Sequence, residues 1–81
     1  MAEWRLVGRI VADREPLLLG GLNPWQHAWS PVEAPPVIVP HPQYPAQRHK
    51  MWIYEIASGD VVVRFAAGEF SNGAWGFYLP A

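Results

Sequence analysis

Residues 51–79 read MWIYEIASGDVVVRFAAGEFSNGAWGFYL and determine the fold class. Three runs rich in β-branched and aromatic residues are separated by Ser58-Gly59-Asp60 and by Ser71-Asn72-Gly73. Glycine, asparagine and aspartate adopt the backbone angles that tight hairpin turns require. The stretch therefore predicts a three-stranded antiparallel meander.

The first turn decides which side chains share a face. An even-numbered loop centred on Ser58-Gly59 aligns the apolar residues, whereas a three-residue loop would set Trp52 against Ala66. A slip of one residue moves every side chain to the opposite face, so we predict the even loop. The predicted cross-strand pairs are Ile56–Val61, Tyr54–Val63 and Trp52–Phe65. Glu55 and Arg64 are predicted to lie diagonally on the other face, partly in solvent.

The second turn contains Asn72-Gly73, which is typical of a two-residue type I′ hairpin. This turn pairs Phe70 with Trp75, Gly68 with Phe77 and Ala66 with Leu79. In a regular middle strand these aromatic residues would share the face of Arg64. Two interpretations are open. Either a β-bulge at Ala66-Ala67-Gly68 turns the aromatic side chains to the Trp52 side, or both faces carry aromatic residues and need a cover.

Length and composition limit the class of protein. A chain of 81 residues predicts one domain, residues 1–81, with a small core. There is no cysteine to form a disulfide and no apolar run long enough to span a membrane. We therefore expect a cytoplasmic protein. The formal net charge of −1 argues against a protein built mainly to hold nucleic acid.

The N-terminal part predicts two strands and one helical turn. Residues 4–12 alternate as a strand, with a helix as the weaker alternative, and residues 13–16 predict a turn. Leu17–Leu19 is predicted to be a short returning strand that ends at Gly20-Gly21. Asn23-Pro24 combines an N-cap with the proline favoured at the first helical position, so we predict a short helical turn near residues 24–29.

Residues 31–47 form a proline-rich segment that we predict to be an extended arm. Residues 36–40 within it predict an edge strand, because prolines at its ends need not interrupt the ladder. Pro42-Gln43-Tyr44-Pro45 matches PxxP, a short and common pattern. The arm is expected either to dock on the sheet or to be mobile and functional.

The sequence contains no recognisable catalytic or metal-binding motif. The three histidines His27, His41 and His49 follow no zinc spacing, and the P-loop, HExxH, GxSxG and dinucleotide patterns are absent. We therefore expect no enzymatic activity, no metal and no cofactor. Binding is the remaining class of function.

An apolar fraction of 51%, five tryptophans and only 16% charged residues predict a protein-interaction module, in the form of a homodimer or a complex with another protein. The candidate partner-binding residues are Trp25, Trp29, Tyr44, Arg48 and His49. For Trp25 and Trp29 a purely structural role, closing one end of the sheet, is the main alternative. Another interpretation is single-stranded nucleic-acid binding, in which aromatic rings stack on bases and a groove is lined by Arg5, Arg9, Arg48, Lys50 and Arg64.

The predicted fold class is an all-β domain of four to six short strands, forming a small antiparallel sheet or a partly open, SH3-like or OB-like barrel. Folds of this size carry many unrelated functions, so the fold itself does not identify the activity. The predicted core consists of residues from the meander: Trp52, Tyr54, Ile56, Val61, Val63, Phe65 and Phe77.

Overall fold

The structure is a computed structural model that describes residues 4–10, 17–70 and 73–80. Its elements are β1 (Trp4–Ile10), a 3₁₀ turn (Pro24–Gln26), β2 (Ser30–Pro31), β3 (Val37–Pro40), β4 (Arg48–Ser58), β5 (Val61–Glu69) and β6 (Trp75–Pro80). The sheet order is β1-β6-β5-β4-β2, all pairs are antiparallel, and β3 pairs with β4 in addition. The sheet is open, and the predicted all-β antiparallel class is confirmed.

The first hairpin has the predicted even loop, but its register is two residues away from the predicted one. Ser58 pairs with Val61 around Gly59-Asp60, so Tyr54 lies opposite Phe65 and Ile56 opposite Val63. Gly59 supplies the positive φ of +60°. A shift of two keeps every side chain on its predicted face, because side chains alternate with period two.

The second hairpin has a longer loop than predicted. Phe70 N–H donates to the carbonyl oxygen of Ala74 at 2.8 Å, and Gly73 has φ +78°. Glu69 therefore pairs with Trp75, and Ala67 pairs with Phe77. The predicted pairing of Phe70 with Trp75 was wrong by one residue. The middle of this turn, Ser71 and Asn72, lies outside the described residues, as do the predicted turn at 13–16 and the end of the first predicted strand.

The one-residue change of register removes the need for a bulge in the middle strand. β5 pairs with both neighbours without interruption, so the bulge predicted at residues 66–68 was wrong. Aromatic residues lie on both faces, as the alternative predicted, but Trp75 and Phe77 are on the Trp52 side and only Phe70 of the three is on the Arg64 side. The described bulge lies in β1 instead, where the register shifts between Leu6 and Gly8.

Each face of the sheet carries its own apolar cluster. The first cluster, on the first face, consists of Ile10, Leu19, Ile56, Phe65, Ala67 and Phe77. The second cluster, on the second face, consists of Val39, Met51, Ala66, Phe70 and Tyr78. Tyr54 and Val63 pack against the first cluster as predicted, but Trp52 and Val61, which we expected in the core, are half exposed.

The second face is covered by the start of β4, which passes closely over β5. At Gly68 an ideal Cβ atom would lie 2.5 Å from the carbonyl oxygen of Lys50 and 2.7 Å from Sδ of Met51. Gly76, the partner of Gly68 in β6, would meet the Phe70 ring at 2.5 Å. These two glycines leave the space in which the β4 backbone and the Phe70 ring lie.

The first face is covered by residues 17–29. Leu19 and Leu22 form a bridge around Gly20-Gly21, whose φ values of +58° and +88° are those of a type I′ turn. Leu19 is buried, but the predicted strand at 17–19 is reduced to this bridge. The predicted helical turn is confirmed as the 3₁₀ turn.

The proline-rich arm is docked along β4. Ser30 and Pro31 pair with Glu55 and Tyr54, and β3 pairs with the first residues of β4. The predicted edge strand at 36–40 is confirmed as β3. Within the described ranges, no helix has the length and apolarity needed to cross a membrane.

Substituting Gly68 tests the crossing of β4 over β5. Gly68→Ala should lower the free energy of unfolding by about 2–3 kcal/mol, because the new methyl group meets backbone that cannot move alone. Gly8→Ala is the matched control. There the methyl group would meet only the end of the Leu17 side chain, so the change should stay within about 1 kcal/mol. Urea unfolding measures both, and equal losses would contradict the crossing.

Titration of Tyr78 tests the burial of the second cluster. Burial raises the pKa of its phenol above the usual value of 10.0. The folded state then holds the phenol proton more tightly than the unfolded state does. The free energy of unfolding is therefore independent of this group below about pH 10 and falls as the pH rises above about 10. Between about pH 8 and pH 10.5 the wild type should lose more unfolding free energy than Tyr78→Phe. Equal losses in the two proteins would show that Tyr78 is not desolvated.

Candidate functional site

Trp25 and Trp29 are positioned by the 3₁₀ turn. The Oδ1 atom of Asn23 accepts the N–H of Trp25 at 2.9 Å, as an N-cap does, and Pro24 follows at the first helical position. The turn ends at Gln26, and the chain continues extended through His27. The Trp29 indole then donates from Nε1 to the carbonyl oxygen of Pro24 at 2.9 Å. This hydrogen bond folds the segment back on itself.

The two indoles cover the first cluster. The Trp29 ring centroid lies 5.1 Å from Phe65, 5.7 Å from Phe77 and 5.4 Å from Tyr54. Trp25 contacts Phe77 at 5.7 Å and Trp29 at 6.0 Å. The contacts Trp25–Phe77, Trp29–Phe65 and Trp29–Phe77 are edge-to-face, an arrangement that aromatic pairs favour. These contacts support the structural role for both residues, and a partner-binding role for them stays a prediction.

Tyr44 and His49 lie on the other face, around His41 and Phe70. The His41 ring centroid is 5.2 Å from Tyr44, 5.6 Å from His49 and 5.2 Å from Phe70. His49 contacts Phe70 at 5.4 Å. Tyr44 nevertheless keeps 59% of its surface exposed, and Arg48 is exposed at the start of β4. Trp25 and Trp29 therefore lie on one face and Tyr44 and His49 on the other, whereas no contact assigns Arg48 to either pair.

His41 organises the loop between β3 and β4. Its Nδ1 atom accepts the backbone N–H groups of Gln43 at 3.0 Å and Tyr44 at 3.2 Å. The backbone adds bonds from His41 N–H to Gln47 oxygen and from Gln47 N–H to Tyr44 oxygen. Nδ1 therefore acts as an acceptor for two backbone groups, and the loop holds Tyr44 in a fixed position at the surface.

Trp52 and Trp75 are exposed aromatic residues that were not among the predicted site residues. Trp52 was predicted to lie in the core and Trp75 beside Phe70, but 49% of Trp52 and 38% of Trp75 are exposed. Trp52 lies opposite Ala67 and Trp75 opposite Glu69. Since Ala67 and Glu69 are two residues apart on β5, both indoles belong to the first face.

The basic residues do not line one groove. Arg64 pairs with Glu55, its direct cross-strand neighbour, at 2.8 Å. Arg5 lies opposite Leu79 and Arg9 opposite Gly76 on β6, so they point to opposite faces of the sheet. Arg5 and Arg9 therefore cannot line the same groove. In the part of the chain that the structure describes, no group of three His, Cys, Asp or Glu residues is placed to hold a metal ion.

Paired substitutions of the two neighbouring histidines test the loop geometry. His41→Phe removes the acceptor of two N–H groups and should cost about 1–3 kcal/mol of stability, with faster amide exchange at Gln43 and Tyr44. His49 differs, because its Nε2 atom is buried and has no hydrogen-bond partner in the described ranges. His49→Phe should therefore leave stability unchanged or raise it. Unfolding curves and amide exchange of both variants are the measurements, and the reverse order would contradict the assigned hydrogen bonds.

The chain was compared with protein-family models, with curated proteins and with solved structures, and no match was found in any of the three.

Proposed function

We propose that this chain is a non-catalytic protein-interaction module that works in the cytosol and associates with a second copy of itself. The observation that carries the proposal is the exposure of large apolar side chains on a chain of 81 residues. They include Leu6, Leu18, Ile38, Tyr44, Trp52, Val61, Val62 and Trp75. Exposed apolar patches on small domains typically mark contact surfaces.

Both edges of the sheet have features that oppose pairing with another strand. β1 carries the exposed Arg5 and Arg9 and a register shift between them. β2 and β3 include Pro31 and Pro40, which have no N–H to donate. Charges, bulges and prolines are the usual means by which edge strands avoid edge-to-edge association. Partners are therefore expected at the faces and ends of the sheet.

Tyr44 and Arg48 remain candidate contact residues in this proposal. Tyr44 is presented by a loop that His41 holds through two backbone hydrogen bonds. A fixed, exposed tyrosine loses little conformational entropy on binding, and both residue types are common in the energetic centres of interfaces.

The aliphatic end of the β4–β5 hairpin suits a second copy of the chain. Val61 and Val62 are 50% and 58% exposed beside the turn. Leu18 is exposed next to Leu19 and Gly20, and the Gly20 backbone lies against Val63. Val61 and Leu18 lie near one end of the first face and Val62 lies at the same end of the second face, so self-association around the hairpin end would remove these side chains from water.

Light scattering over a tenfold concentration range tests self-association. We expect a molar mass of twice 9.1 kDa at tens of micromolar. The double variant Val61→Thr/Val62→Thr keeps the β-branched shape but replaces one methyl group of each side chain with a hydroxyl group. At about 0.5 kcal/mol for each of the four changed side chains in a dimer, its dissociation constant should rise roughly thirtyfold. A wild type that is monomeric at every concentration would remove self-association from the proposal.

A further inference from the structure

Two half-exposed indoles lie on either side of one carboxylate on the first face. Trp75 is the direct cross-strand neighbour of Glu69. Trp52 of β4 lies opposite Ala67 of β5. It is therefore the diagonal neighbour of Glu69, which is two residues further along β5. Direct neighbours have Cβ atoms about 5 Å apart and diagonal ones about 7–8 Å apart, within the reach of tryptophan and glutamate side chains. We call these three residues the Trp–Glu–Trp surface.

The charge of Glu69 is not neutralised within the described ranges. Glu69 is exposed, and the one ion pair there joins Arg64 to Glu55. Lys50, two residues before Trp52, is the nearest basic residue along β4. Its neighbours His49 and Met51 pack on the second face, so the Lys50 side chain lies on the same side as Trp52. At Lys50, however, β4 has left β5 and pairs with β3, and Lys50 forms no ion pair with Glu69. Among the residues that the structure describes, no basic side chain forms an ion pair with the Glu69 carboxylate.

The chemistry of the surface fits an arginine side chain. A guanidinium group is planar, stacks on indole faces and donates two parallel hydrogen bonds to a carboxylate. A lysine ammonium is more strongly hydrated and lacks the planar fork. Glu69 also argues against two other occupants. Nucleic-acid phosphate would be repelled, and a symmetric second copy would bring two Glu69 carboxylates into one interface.

We infer that the Trp–Glu–Trp surface binds an arginine-containing segment of a partner protein. The inference rests on the proposed function as an interaction module, but it uses a different surface from the hairpin end proposed for self-association. Val61 pairs with Ser58 beside the first turn, whereas Glu69 is the last residue of β5. The two surfaces therefore lie at opposite ends of the strand.

Fluorescence anisotropy with a short labelled peptide that alternates glycine with arginine tests the inference. The same peptide with citrulline in place of arginine keeps the shape and removes the charge, and it should bind at least about tenfold more weakly. A lysine version should bind less tightly than the arginine version. Trp52→Leu and Trp75→Leu should each weaken arginine-peptide binding by a similar factor.

Glu69→Gln should also weaken arginine-peptide binding about tenfold. Glu33→Gln is the matched control, because it makes the same change of net charge at an exposed position outside the surface. Equal effects of the two variants would show general electrostatic attraction and would overturn the inference. Equal binding of the citrulline peptide would also overturn it, as would tighter binding of a single-stranded oligonucleotide at the same residues.

Light scattering of Glu69→Gln separates this inference from the proposed function. An unchanged dimer together with weakened peptide binding supports the inference. A dimer that forms while no arginine peptide binds the wild type would overturn the inference and leave the proposed function standing.

Discussion

The close approach of β4 to β5 at Gly68 is the constraint on which the rest of the structure depends. The Lys50 carbonyl oxygen and the Met51 side chain occupy the space that any side chain at residue 68 would need. Because β4 can pass there, its first residues leave β5 and pair with β3 over the second face. Met51 and Val39 then join Ala66, Phe70 and Tyr78 in a second cluster. A sheet of this size is thereby buried on both sides, which compensates for a chain that is short and lacks disulfides.

The two faces are closed by different means, and this explains which aromatic residues remain exposed. Residues 17–29 cover the first face with Trp25 and Trp29, which pack on Phe65 and Phe77. Trp52 and Trp75 lie beyond this cover. On the second face His41 fixes the loop that carries Tyr44. The tryptophans of the chain therefore serve two purposes in our account: some complete the core, and others are available to partners.

Side-chain alternation accounts for what could be predicted from the sequence. The meander, the even first loop and the faces of Ile56 and Phe65 follow from it, since a slip of one residue would expose the apolar set. A shift of two residues preserves those faces. The pattern therefore could not distinguish the predicted register, centred on Ser58-Gly59, from the observed one, centred on Gly59-Asp60. The second loop was mispredicted because Asn72-Gly73 suits a two-residue turn, while a glycine with positive φ also ends a three-residue loop.

The remaining differences come from contacts that a linear pattern does not contain. Nothing in the spacing of Gly68 and Gly76 indicates that they face each other and make room for Met51 and Phe70. The exposure of Trp52 follows from its place opposite Ala67, where β4 begins to leave the sheet. The candidate residues Trp25 and Tyr44 were selected by type, and type alone could not show that they lie on opposite faces.

The measurement that tests the two-sided core most directly is the proton NMR spectrum of Gly76. The Phe70 ring lies against its backbone, and the His41 ring centroid lies 5.2 Å from that of Phe70. We predict that a Gly76 Hα resonance is displaced strongly from its ordinary strand position by the ring current of Phe70, with nuclear Overhauser effects from Phe70 to both Gly76 and His41. Gly76 Hα resonances at ordinary strand positions, with no such effects, would show that the second face is not closed and would contradict the account.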